Sequence, residues 1–202
     1  MASAAEPLKR RLLVYVAWSI PLTLLFVISY GTTNWLAAQR PQRLHLYADW
    51  ELGIPFVPWM IGVYLSFNAM MMLPVFVLTV REIHRLAAAF ALATLAGSVG
   101  HSLLPGQLGW AREAHVSGPF AMLYLLDRPH NLVPSLHVAY SVMGGLIVWR
   151  RATSAPLRWG TAGWTCALAA SVLLIHQHHL LDVVTGAALG GICAWWFFSR
   201  SV

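Results

Sequence analysis

The chain has 202 residues, 58% hydrophobic and only 10% charged, against about 45–50% and about 25% in soluble domains. That balance excludes a soluble globular protein, and the length allows one bundle, a single membrane-embedded domain over 1–202. The net charge of +6 raises the question of nucleic acid, which the placement of the basic residues answers below.

A membrane-spanning helix takes about 20 mostly apolar residues. Six blocks of that kind are predicted, over 12–31, 56–80, 86–104, 136–149, 159–177 and 180–198. The first follows Lys9, Arg10 and Arg11, like the basic start of a signal peptide. Its apolar run is longer than a signal core and no clean small-x-small site follows, so it is expected to remain as the first helix. The fourth block is short unless it extends past Trp149, and the last two are close enough to form a tight hairpin. No linker, internal repeat or low-complexity tract interrupts the series.

Lys9, Arg10, Arg11, Arg81, Arg85, Arg150, Arg151, Arg158 and Arg200 fall on one side of a six-helix arrangement. Arg40, Arg43, Arg112 and Arg128 fall on the other. The positive-inside rule then places both termini in the cytoplasm. The expected fold is therefore an all-α polytopic bundle of six transmembrane helices, with the basic excess explained by topology and no nucleic acid required. Cys166 and Cys193 lie in apolar blocks and are read as buried packing thiols. The tryptophans are read mainly as interfacial belts, Trp35, Trp50, Trp59 and Trp110 outside and Trp149, Trp159 and Trp195 inside.

Polar side chains are costly in a bilayer, so where they gather is informative. His101, His115, His130, His137, His176 and the pair His178/His179 fall at or near the outer ends of predicted helices. His45 lies in the first outer loop, and His84 alone is clearly cytoplasmic. His45, His84 and His115 read as ordinary interfacial histidines. Two runs concentrate the chemistry, Asp127 through His137 entering the fourth helix and His176 through Asp182 entering the sixth.

His178 and Asp182 are spaced to share a helical face, where the carboxylate fixes the imidazole tautomer and leaves the other ring nitrogen nucleophilic. Pro134 suits a first helical turn, which puts Ser135 and His137 at a helix N-terminus that favours an anion. Arg128 offers a planar fork of donors for phosphate oxygens. A nucleophilic imidazole, a second imidazole as proton donor and a cationic cradle describe phosphoryl transfer that needs no metal and no cofactor.

On these residues the chain resembles the type 2 phosphatidic acid phosphatase superfamily, whose pattern runs Lys-x6-Arg-Pro, Pro-Ser-Gly-His, Ser-Arg-x5-His-x3-Asp. Arg128-Pro129, Pro134-Ser135-Leu136-His137, and Ser171 with His178 and Asp182 match it in order and spacing, across roughly residues 49–190. The resemblance implies a membrane lipid phosphatase with His178 as nucleophile, Asp182 orienting it and His137 protonating the leaving alcohol. It further implies that Arg128 and Ser135 hold phosphate oxygens and that the substrate, a phospholipid or isoprenoid phosphate, enters sideways from the outer leaflet. The expected location is the bacterial inner membrane, with the site on the periplasmic side.

Ala121 stands where the pattern has lysine, and Val172 where it has arginine. His130, His176, His179 and Arg112 are the candidate replacements for these cations, and Asn131 is a further candidate phosphate-binding residue. Pro-Ser-Leu-His, the His-His-x-x-Asp run and Asp49 through Phe56 look closer to the branch containing inositol phosphorylceramide synthases. That branch implies the alternative of a phosphotransferase, moving a phospho-headgroup onto a lipid or sugar hydroxyl. Two readings from other classes remain at this point, a histidine-box di-iron enzyme using His176, His178 and His179, and a non-catalytic lipid-binding protein.

Overall fold

The structure, a computed structural model, describes residues 6–112, 118–126 and 129–199. The predicted site residue Arg128 lies outside the described residues, as do Asp127, His115 and Glu113.

Helix α1, Leu8–Ala38, is followed by a strap that holds a short 3-10 turn at Asp49–Gly53. The strap is clipped to the chain beyond the third apolar block, where Leu44 N–H donates to Pro105 O at 2.9 Å and Gln107 N–H to Leu44 O at 3.0 Å. The second predicted span is wound as three pieces, α2 (Met60–Leu65), α3 (Phe67–Met70) and α4 (Pro74–Val77). Pro74, without an N–H, and the i to i+3 bonds of Met72 and Leu73 tighten it between turns of α-helix. Helix α5, Val80–Leu103, starts at a capping box in which Thr79 Oγ1 accepts from Glu82 N–H and Thr79 N–H donates to Glu82 Oε2. The short α6, Pro119–Leu126, was not expected from the sequence. Then come α7 (Leu136–Arg151), α8 (Ala155–Leu174) and α9 (Leu180–Phe198), close to the predicted fourth, fifth and sixth blocks.

Every regular element among the described residues is a helix, with an isolated bridge between Leu44 and Gly106 and no strand. Four stretches are long and apolar enough to cross a membrane, Leu8–Ala38, Met60–Val77, Val80–Leu103 and Leu180–Phe198. Helix α7, 16 residues long, and α8 are not among them. Helix α7 packs against α5, α8 and α9, so its Ser141, Gly144 and Gly145 are buried against protein and need not be lipid-like.

The closest helix pairing is that of α7 with α9. A Cβ added to Gly186 would sit 2.4 Å from Ser135 O, and one added to Gly190 would sit 2.1 Å from Ala139 O. Two glycines four residues apart thus let two backbones touch, the small-residue device of membrane helices. Beneath this contact, Ile83, Leu86, Ala89, Met143, Ile147 and Phe198 form the main buried cluster. Cys166 and Cys193 are free thiols, and only Cys193 is buried as expected; Cys166 is on the exposed face of α8.

The bundle has chemically distinct ends. At one, Arg11 donates to Phe76 O and Leu78 O, Glu6 accepts from Val80 N–H, and Arg151 Nη2 meets Glu82 Oε1 at 2.7 Å. At the other lie the strap, the start of α7 and the α8–α9 turn, which carry most of the histidines.

Candidate active site

Helix α8 ends in a tight reversal. Gln177 N–H and His178 N–H both donate to Val172 O, at 2.9 and 3.1 Å, and His176 takes a left-handed φ of 56°, a conformation usually given to glycine or asparagine after a helix. Val172 is fully buried. The position where the resembled pattern has arginine is therefore a packing site whose carbonyl shapes the turn.

The turn presents His178 to Asp182. His178 Nδ1 lies 3.2 Å from Asp182 Oδ2, although His178 precedes α9, whose N-cap is His179. The expected pairing is present, but it runs from a turn to the first helical turn instead of along one helix. Asp182 is almost wholly enclosed, and its Oδ2 also accepts from His179 N–H at 2.8 Å. A carboxylate in the first turn of α9 is favoured by the helix dipole as well. With Nδ1–H directed at Asp182, Nε2 keeps the lone pair and is the ring nitrogen available to the adjoining cavity.

Asp182 also joins the two polar runs, because its carbonyl accepts from Ser135 N–H at 3.0 Å. Ser135 is buried at the N-cap of α7, its Oγ facing Val138 N–H at 3.4 Å. Two residues on, His137 stacks on Tyr64 at 4.1 Å and against Phe67 at 4.4 Å. Its Nε2 is enclosed and finds no hydrogen-bond partner among the described residues. His137 and His178 line the same cavity, of about 380 Å³, with Tyr30, Tyr64, Asn131 and Tyr140 among the other walls. A second cavity of about 340 Å³ shares Phe26, Phe67, Asn68 and Tyr140 with it and continues along α1 to Tyr15. From Tyr30 to Tyr15 along a helix is roughly 22 Å, most of the ~30 Å hydrocarbon thickness of a bilayer.

The remaining predicted residues are placed differently. Asn131 spends its amide on α1, donating to Tyr30 O at 2.9 Å and Thr33 Oγ1 at 2.8 Å. His130 is half-buried in the turn before it. His176 Nε2 meets Ile54 O at 2.9 Å, and its ring stacks on Trp110 at 4.2 Å. His179 is pressed between Trp110 at 4.1 Å and Tyr47 at 4.2 Å. Neither His176 nor His179 lines the cavity. His176, His178 and His179 turn toward Ile54, Asp182 and Glu51 respectively, so they do not converge as a histidine box would. Arg112 lies over the Tyr124 ring at 4.6 Å and contacts Gln177 Oε1 at 3.4 Å.

Glu51 is a site-building residue that the sequence noted only within a run. It is 3% exposed. Its Oε1 accepts from Ala48 N–H at 2.9 Å and its Oε2 from Leu180 N–H at 2.8 Å. Oε2 also faces His179 Nδ1 at 3.4 Å. Gly109 N–H donates to His179 Nε2 at 3.1 Å, so the ring proton sits on Nδ1, toward Glu51. Burial pushes the His179 pKa below the ordinary histidine value, against the opposing pull of Asp182 and Glu51. Burial lowers His176 likewise, partly offset by the Ile54 carbonyl. Asp182 and Glu51 together thus satisfy the first N–H groups of α9 and bind the strap to the helix that carries the site.

No protein-family model, no curated protein and no solved structure matches the chain.

Proposed function

We propose that the protein is a membrane lipid phosphatase of the type 2 phosphatidic acid phosphatase kind, working through a phosphohistidine and without a metal. The observation that carries the reading is the pairing of His178 with buried Asp182 beside a cavity that His137 also lines. His178 Nε2 attacks phosphorus while the bond from phosphorus to the leaving oxygen breaks, and protonated His137 gives that oxygen its proton. Water then attacks the phosphohistidine, His137 takes up the water proton, and inorganic phosphate leaves with His178 regenerated. Asp182 holds the tautomer and offsets positive charge on the attacking ring.

The apolar continuation of the cavity along α1 supports a substrate with a long hydrocarbon chain, such as a phospholipid or isoprenoid phosphate. The excess of basic residues toward one end and the gathering of the histidines other than His84 toward the other support six spans with both termini cytoplasmic and the site on the extracytoplasmic side of a bacterial inner membrane. Ser135 at the start of α7, with Arg128 and His130 before it, would hold phosphate oxygens. The absence of a cation at Ala121 and Val172 favours a second reading, transfer from a phosphodiester to a lipid or sugar hydroxyl, since a diester carries less charge than a monoester.

The test is purified protein in mixed micelles with phosphatidic acid, phosphatidylglycerol phosphate and prenyl diphosphates, followed by released phosphate and by mass spectrometry of the lipids. Phosphate release that survives a chelator and is abolished by His178→Ala is expected. Label appearing on an added lipid alcohol instead of as free phosphate would select the transferase. Activity lost to the chelator and restored by a divalent ion would contradict both.

A further inference from the structure

Helices α8 and α9 follow each other across a short turn, yet both pack mainly on α7 and hardly on each other. At the end far from His137 and His178 the space between them is a cavity of about 590 Å³. Its walls come from the last turn of α7, the start of α8 and the end of α9, and its polar lining is Arg150, Arg151, Arg158 and Ser199. Trp149 and Trp195 complete it, and tryptophan is the residue of the bilayer's headgroup level.

The charges at this mouth are unevenly matched. Arg151 is paired with Glu82 at 2.7 Å. Arg158 is oriented over the α7–α8 turn by donating Nε–H to Ala152 O at 2.8 Å, which commits a neutral carbonyl and no carboxylate. Among the described residues, no salt bridge joins Arg150 or Arg158 to an acid. Each helix end contributes about half a charge. The C-termini of α7 and α9 therefore give about one negative charge and the N-terminus of α8 returns about half a positive one, so two unmatched guanidiniums exceed their sum. The cavity is cationic, and it opens beside large exposed apolar groups, Trp159 on α8 and Ile192 and Trp195 on α9. A free anion would use only the guanidiniums. An amphiphile would use both features.

We infer that this cleft is a binding site for the headgroup of an anionic phospholipid of the surrounding bilayer, its phosphate on Arg150 and Arg158 and its chains along the α8–α9 gap. The site is separate from the histidine cavity and does not depend on the phosphatase reading. It would hold a lipid as a structural wedge where two helices of the bundle lack a partner.

Native mass spectrometry of the full chain in detergent tests this, with phosphatidylglycerol and phosphatidylcholine of matched chains added at equal concentration. One phosphatidylglycerol should be retained at least about tenfold more tightly than phosphatidylcholine. A basic residue beside an anionic headgroup contributes roughly a factor of five. Arg150→Gln and Arg158→Gln should each weaken retention about fivefold, and together about thirtyfold. Arg150→Lys with Arg158→Lys should keep most of the preference, and Arg40→Gln with Arg43→Gln, at the opposite end, should keep all of it. Equal retention of the two lipids, or a preference untouched by the double glutamine variant, would overturn the assignment. Displacement of phosphatidylglycerol by millimolar inorganic phosphate would assign the site to a free anion and overturn it also.

Discussion

Replacing Glu51 by glutamine changes one oxygen to an NH2 group without changing shape, and its cost can be worked from the contacts. The carboxylate accepts from Ala48 N–H and from Leu180 N–H on different oxygens. A glutamine has one acceptor oxygen, so whichever way the amide is turned, one buried N–H meets another donor. A hydrogen bond to a charged group contributes about 1.5–3 kcal/mol, and a negative charge near a helix N-terminus about 0.3–1 kcal/mol. Glu51→Gln should therefore destabilise the protein by about 2–4 kcal/mol, and Glu51→Ala by at least as much. Because Leu180 N–H belongs to the turn that carries His178 and Asp182, catalytic turnover should fall in parallel. Unfolding in mixed micelles, followed by tryptophan fluorescence, measures the first effect, and phosphate release the second. A Glu51→Gln protein within about 0.5 kcal/mol of the parent, the range of ordinary surface changes, would refute the reasoning that this carboxylate holds α9 to the strap.

Gly190→Ala places a methyl 2.1 Å from Ala139 O and should separate α7 from α9. Overpacking of this kind costs about 1–3 kcal/mol or more, while Gly191→Ala, with nothing within 4 Å, should be near neutral; the same unfolding assay compares them. Leu22→Trp, within the α1 groove, should raise KM for long-chain lipid phosphates and spare a short-chain water-soluble one, and equal effects on both would remove the groove from the account. Stability should also depend on pH with a definite sign. His176 and His179 have lowered pKa values in the folded state, so the unfolded chain binds more protons below the ordinary histidine value of about 6.5. Unfolding scans should show stability that is full above that pH and declines as pH falls below it, and His179→Gln should flatten the decline.

Much of the helical plan was legible because hydrophobic blocks of span length leave few alternatives; α9 occupies the predicted 180–198, and α7 begins at Leu136 with Ser135 as its N-cap, Pro134 standing just before the cap and not in the first turn as expected. The winding of the second block was not legible, since Leu, Met and Val are equally apolar in α-helix and in tight turns. The His178–Asp182 pairing was readable because its partners are four residues apart. Glu51 meets Leu180 across 129 positions, and Asn131 meets Thr33 across 98, so nothing local announces either. The same applies to the rings around His179. Trp110 read as a belt residue and His176 as a ligand in sequence, Tyr47 carried no signal, and only the docking of the strap on the α8–α9 turn stacks them with His179 into one column. The Gly186-x3-Gly190 spacing was a visible signal for the α7–α9 contact, and it lay within a helix read only for its hydrophobicity.

The central claim is that His178 Nε2 becomes bonded to phosphorus. Protein mixed with a turned-over lipid phosphate, quenched in alkali and digested, should yield a peptide carrying an acid-labile phosphate on His178. His137→Ala should block formation of that adduct, and Asp182→Asn should diminish it. A turned-over substrate that leaves no phosphate on His178, or one that phosphorylates another residue while His178→Ala stays active, would contradict the account.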